Sequence, residues 1–327
     1  MPAPTGLSGV AGVRVGHWTD SEAGTGCTAI LPPPDTVAAA EVRGGGPATR
    51  ETELLAPAAN PQHVTALILS GGSAFGLAAA AGAVRFCEER GLGYDTRIAR
   101  VPLVPAAAIF DLGVARPGVR PGPEAGYAAC AAAAPGPFAR GSVGAGTGAT
   151  VGKLRGQEGW CKGGLGAGER RLHDGTIVTA LAVVNAWGDV LDERGDVLAG
   201  VVGPDLGFVG AAHRIVEAPP EHPRLAAALE STTLACVMTD ARLTKVEAAQ
   251  VARMAGAGVA RAVAPVNTPL DGDAVFCLAT GTRTASPFPC GVAAAEAVAA
   301  AVRDAVRQAT PVRGVPTAAM RRGTRHG

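Results

Sequence analysis

Leu229-Glu230-Ser231-Thr232-Thr233-Leu234-Ala235-Cys236-Val237-Met238-Thr239-Asp240 places three hydroxyl side chains in front of an apolar run. Short hydroxyl residues compete with the backbone for hydrogen bonds and favour turns, so 233–239 reads as a buried strand entered through a polar turn. Directly upstream, Glu217-Ala-Pro-Pro-Glu-His-Pro-Arg224 is Pro-rich and charged, the composition of a linker.

Outward from this strand, apolar β-branched runs alternate with alanine-rich helical patterns. Residues 64–69 read as a strand, Ser70-Gly71-Gly72 as a turn, and 74–90 as a helix stopped by Gly91 and Gly93. A second central strand is expected over 177–185, followed by the turn Trp187-Gly188-Asp189, and a fourth strand over 274–280. The 3.6-residue period marks packed helices over 243–257 and 292–308. Residues 310–327 mix Pro, Gly and Arg without apolar period and are expected to fray as a basic tail. Strands that neighbour one another in sequence, with helices left over to cover them, predict a layered α+β domain rather than a doubly wound one. No fixed-period repeat is present.

The chain has 327 residues, 47% hydrophobic and 17% charged, enough apolar material for a large core and too little charge for a disordered chain. A net charge of +1 leaves no electrostatic footprint for nucleic acid or an anionic membrane, and 4% aromatics argues against base-stacking platforms. The N-terminal Met1-Pro2-Ala3-Pro4 has no basic residue before Arg14 and no compact apolar core after it, and no stretch reaches ~18 apolar residues. The seven cysteines form no CxxC pair and are widely spaced, so reduced, core-filling thiols in the cytoplasm are expected.

Several motifs imitate chemistry. Gly144-Ala-Gly146-Thr-Gly148-Ala149 matches G-x-G-x-x-A but lacks a βαβ setting and an acidic residue about 20 positions on. As a phosphate loop the run fails too: five residues separate Gly146 from Gly152, and Leu154 follows Lys153 where Ser or Thr is needed. It reads as a glycine-rich connection, with Lys153 at its end unexplained. Ser73 in Gly71-Gly-Ser73-Ala-Phe75 misses the nucleophile-elbow pattern because Phe75 replaces the last glycine; it is expected to cap the following helix. Six scattered histidines give no metal-ligand spacing, and neither metal nor cofactor is expected.

Four segments in order, Gly71-Gly-Ser-Ala-Phe-Gly76, Val183-Val-Asn185, Ser231-Thr232-Thr233 and Pro269-Leu-Asp271-Gly-Asp273, resemble the self-processing peptidases that include L-aminopeptidase/D-esterase, β-aminopeptidases and nylon-oligomer hydrolase. The resemblance runs from Val13-Arg-Val-Gly16 to the final helix. It implies a four-layer αββα sandwich of the N-terminal-nucleophile type, made as one precursor over 1–327. The implied cut falls between Ser231 and Thr232, giving an α chain of 1–231 and a β chain of 232–327 that stay together, in a homo-oligomer of four or more processed units. The nylon-hydrolase branch is most similar around the site: its lysine corresponds to Lys153, its asparagine to Asn185 and its aspartates to Asp271 and Asp273. Two positions depart from the pattern. Ser231 stands where Asn or Gly usually precedes the cut, and Phe110 replaces a tyrosine near the oxyanion, so no phenolic donor exists there.

The implied chemistry is amide hydrolysis of short peptides, amino-acid amides or ω-amino-acid oligomers through an acyl-Thr232 ester. A threonine hydroxyl needs a base, and the free α-amine left by the cut, of ordinary pKa about 7.7–8.0, supplies one. A cationic Lys153 nearby would lower that pKa further. The Asn185 amide is expected to donate to the oxyanion, worth ~2.7–4 kcal/mol. Asp271 and Asp273, two residues apart, would share a sheet face and pair with Lys153 or orient the amine. Two other readings remain: acyl transfer to an amine, as in ornithine acetyltransferase, and a ligand-binding protein that never processes.

Overall fold

Strand composition on two sides of one sheet dictates the layering. A computed structural model describes residues 9–203, 207–217 and 231–323. The framework, in chain order, is β1 (Arg14–Asp20), β2 (Thr25–Leu31), β3 (Val37–Val42), β4 (Ala48–Arg50), β5 (Leu67–Ser70), α1 (Ala79–Glu88), β6 (Ala106–Ala108), α2 (Pro123–Ala131) and β7 (Ala134–Pro135). It continues with β8 (Gly164–Arg171), β9 (Ile177–Asn185), β10 (Thr232–Ala241), α3 (Lys245–Ala260), β11 (Ala274–Arg283) and α4 (Pro287–Arg307). One sheet has the order β4-β6-β5-β2-β1-β7 and the other β8-β9-β10-β11-β3.

Every residue of β10 is buried, so both of its faces are covered. Leu234, Cys236 and Met238 pack between the sheets with Leu181, Val183, Phe276, Ile30 and Leu69. The alternate residues Ala235 and Val237 pack with Val178, Ala180 and Cys277 against α3 and α4. Large side chains thus fill the sheet–sheet core while small ones let the helices close, the period-2 division expected of a doubly covered strand. Gly166 and Gly168 of β8 extend this logic, because a Cβ at either would overlap carbonyls of α4. On the far side α1 and α2 cover the first sheet through Ala79, Ala83, Phe86 and Ala129. The result is an αββα sandwich.

The four expected central strands and both long helices form, with ends shifted by a few residues. The expected helix over 74–90 starts instead as a 3-10 turn, Ser73–Ala78, before α1. Ser73 does not cap it by its side chain. It has φ +54° beside Gly72 at +83°, and the tight turn needs backbone curvature rather than a hydroxyl acceptor. The segment expected to fray from Thr310 is docked as far as Arg322. Val312 and Val315 are buried, and the Arg313 guanidinium donates to the carbonyls of Val114 and Glu22. Of the expected linker, the residues from Ala218 onward lie outside the described residues. All seven cysteines are buried and free of disulfides. Among the described residues no helix is long and apolar enough to cross a membrane.

Candidate active site

Strand direction brings the site together. β9 runs antiparallel to β10 with Asn185 opposite Thr232, and β11 runs parallel to β10 with Ala274 beside Leu234. The C-terminal end of β9 and the N-terminal ends of β10 and β11 therefore share one edge of the sandwich. Thr232, 4% exposed, sits there on the same strand face as Leu234, at the mouth of the inter-sheet core. Its Oγ1 donates to the carbonyl oxygen of Ser231 at 2.5 Å. That oxygen also accepts from the Gly272 amide at 2.7 Å, while the Ser231 amide donates to the Leu270 carbonyl at 3.0 Å. Ser231 thus forms a parallel bridge with Asp271.

Lys153 reaches this edge because of the glycine before it. Gly152 has φ +73°, and a Cβ there would overlap the Gly200–Val201 backbone. This close approach lets the amides of Gly152 and Lys153 bond to the carbonyls of Gly188 and Trp187. The Lys153 ammonium, 4% exposed, donates to the Asn185 carbonyl at 2.8 Å and to Ser231 Oγ at 3.1 Å. Burial lowers its pKa from 10.5 to about 7, against the opposing fields of Asp271, Asp111 and Asp273. The expected permanent cation is therefore a lysine that is largely neutral above pH 7.

The Asn185 side chain accepts from the Thr150 amide at 3.0 Å and donates one of its two N–H groups to the Phe110 carbonyl at 3.0 Å. Position 110 thus contributes through its backbone. Asp271 and Asp273 precede β11 in a loop. Asp273 accepts from the amides of Thr233 at 2.6 Å and Asn267 at 3.0 Å. Asp271 accepts from the Thr268 amide and hydroxyl at 3.0 and 2.6 Å, and from the Trp187 amide at 3.4 Å. Among the described residues no ion pair within 4 Å joins either aspartate to Lys153, so the expected pairing acts through the field alone. Burial, then the neighbouring Asp271, push the Asp273 carboxyl up.

Sequence reading overlooked three supports. Lys162 is fully buried and its ammonium donates to the carbonyls of Gly146, Ala149 and Gly163 at 3.0, 2.7 and 3.4 Å, holding the glycine-rich run in shape. Asp111, buried and raised in pKa by that burial, accepts from Thr25 Oγ1 at 2.6 Å and the Gly72 amide at 2.7 Å. A Cβ at Gly71 would overlap the Asp111 carboxylate, which accounts for the Gly-Gly pair. The third is Gly44-Gly45-Gly46. Its backbone lies on the 268–273 loop, with the Gly46 amide on the Asp271 carbonyl at 2.9 Å. A glycine triplet is a visible signal of close backbone approach; a single buried Lys or Asp is not.

Residues 6–319 match the model of a family described as Peptidase family S58. A protein of Mycobacterium tuberculosis (strain ATCC 25618 / H37Rv), described as an uncharacterized aminopeptidase, is 40% identical over 95% of this chain and 96% of its own. The 6-aminohexanoate-oligomer endohydrolase of Agromyces sp. (strain KY5R) is 32% identical over 82% of this chain and 73% of its own. Among solved structures, the L-aminopeptidase D-Ala-esterase/amidase of Ochrobactrum anthropi, described as a variant of the Ntn hydrolase fold, superposes with a TM-score of 0.69. It is 20% identical and covers 96% of this chain and 92% of that one. The sandwich is accordingly of the Ntn-hydrolase type.

Proposed function

We propose that this chain, which belongs to peptidase family S58 and is a hydrolase acting on amide bonds, cuts itself between Ser231 and Thr232 and then uses Thr232 as its nucleophile. One observation carries the reading: the Thr232 hydroxyl lies 2.5 Å from the carbonyl oxygen of the bond to be cut, and that oxygen is already held by the Gly272 amide. In the first step Oγ1 bonds to the Ser231 carbonyl carbon and the C–N bond breaks. The hydroxyl proton passes through the neutral Lys153 amine to the departing Thr232 nitrogen. Water then hydrolyses the ester, releasing the Ser231 carboxylate and regenerating the hydroxyl beside a free α-amine.

The same constellation turns over external amides. The α-amine of Thr232 takes the hydroxyl proton, and the free N–H of Asn185 donates to the tetrahedral oxyanion. Short peptides, amino-acid amides and ω-amino-acid oligomers are the candidate substrates. The two chains stay together because β9 and β10 remain hydrogen-bonded neighbours from Asn185–Thr232 to Val178–Thr239. The test is intact mass and N-terminal sequencing of the purified protein. Two fragments are expected, the smaller one beginning Thr-Thr-Leu-Ala-Cys. Thr232→Ala should run as one folded, inactive chain of 32.4 kDa. A fragment starting at any other residue, or amidase activity in Thr232→Ala, overturns the assignment.

A further inference from the structure

We infer that Asp111 is a positioning residue for the reaction: it sets both contacts that hold the Asn185 amide, and so aims that amide at the oxyanion. The inference rests on Asn185 as the oxyanion donor of the proposed reaction.

An amide aimed at developing charge must not rotate, and here two bonds fix its plane. Asn185 Oδ1 accepts from the Thr150 amide and Nδ2 donates to the Phe110 carbonyl, each at 3.0 Å. The two partners come from different segments, and Asp111 abuts both. It follows Phe110 directly in the chain. It also packs against Gly148, two residues before Thr150, where a Cβ would lie 2.6 Å from the Asp111 Cβ. The Asp111 carboxylate, 2% exposed, is itself tied down at both oxygens. Oδ1 accepts from the Gly72 amide at 2.7 Å and Oδ2 from Thr25 Oγ1 at 2.6 Å. A carboxylate suits this task because it accepts at both oxygens at once. On the other side of Phe110, the Ile109 amide donates to the Ser70 carbonyl at 2.8 Å and the Ser73 amide to the Ile109 carbonyl at 2.9 Å. The frame behind Phe110 is thus the end of β5 in the first sheet, whereas Asn185 ends β9 in the second. Asp111 transmits the position of one sheet to a side chain on the other.

The test is a double-mutant cycle on kcat for L-alanine p-nitroanilide. It uses the mature, two-chain fraction of the unaltered protein, Asp111→Asn, Asn185→Ala and the double variant. Asp111→Asn keeps the size and the acceptor for the Gly72 amide but loses the second acceptor oxygen. We expect it to lower kcat about tenfold with KM within about twofold. Where Asn185 is already Ala, the same change should lower kcat by no more than about twofold. The lost Asp111 charge also acts on Lys153, but it does so in both backgrounds and cancels. Thr25→Val removes only the hydroxyl on Oδ2; it should show the same dependence on Asn185, and it replaces Asp111→Asn should that variant not fold. Equal losses in the two backgrounds, or a crystal structure of the variant with both Asn185 bonds unchanged, would overturn the positioning role and leave Asn185 as donor. An unaltered kcat in Asn185→Ala would overturn the donor and this inference with it.

Discussion

Replacing Lys153 by Met in a Thr232→Ala chain, which is expected to stay in one piece, turns the buried amine into a stability measurement. Lys153 titrates near 7 in the folded chain against an ordinary 10.5, because burial disfavours the ammonium more than Asp271, Asp111 and Asp273 favour it. Between those two values the unfolded chain holds a proton that the folded chain does not. The stability this group contributes therefore rises with pH across that window and is flat below about 7, where both states are protonated. From pH 7.5 to 9.5 the linkage is roughly 2–3 kcal/mol. Lys162, lowered to about 7 by the same burial, is present in both proteins and cancels in the difference. Urea unfolding at pH 7.5, 8.5 and 9.5 should show the lysine-containing chain gaining roughly 2–3 kcal/mol on the Met variant over that range. A difference that stays constant with pH would refute a neutral Lys153, and would remove the base assigned to the first proton transfer.

Gly272→Ala forces a methyl to 2.8 Å from Thr232 Oγ1. A shift of about half an ångström in the nucleophile should slow self-cleavage ~10-fold, read from the decay of the intact chain by mass spectrometry. Asn185→Ala removes the side-chain amide proposed to hold the oxyanion as well as the bond from the Thr150 amide; kcat for an amide substrate should fall ~10²–10³-fold, measured by steady-state kinetics on whatever fraction is cut. Thr244→Ala, by contrast, breaks the capping box with Glu247 at the start of α3. It should cost about 1 kcal/mol in denaturant unfolding with the rate of self-cleavage unchanged.

Much of the architecture was written locally. The alternation along 177–185 and 233–239 placed large residues on one face and small ones on the other, and the structure buries both faces of these strands accordingly. The Asp-Gly-Asp unit, Asn185, Lys153 and Thr232 could each be singled out, and all of them lie at one edge of the second sheet. Local reading failed where a residue's role depends on a distant partner. Ser73 looked like a cap because its neighbours are helical, yet Gly72 and Asp111 dictate a tight turn there. The segment from Thr310 looked loose because its anchors, Val114 and Glu22, lie some 200 or more residues away.

By itself the sequence determined four of the strands, within 64–69, 177–185, 233–239 and 274–280, and the helices α1, α3 and α4, since an apolar run and a 3.6-residue period are properties of a few consecutive residues. Strands β1 to β4 and β6 to β8, and helix α2, were not legible in it. It placed three hydroxyls, Ser231, Thr232 and Thr233, at the head of the critical strand, and the family resemblance singled out Thr232. Only the tertiary structure decided that Leu270 and Gly272 hold Ser231, that Lys162 and Asp111 hold the surrounding loops, and that burial pulls the Lys153 pKa down to about 7. Register and proton affinity are sums over neighbours in space. A lysine's charge state follows from how much water the fold removes and which carboxylates it leaves nearby, and no spacing along the chain encodes that sum.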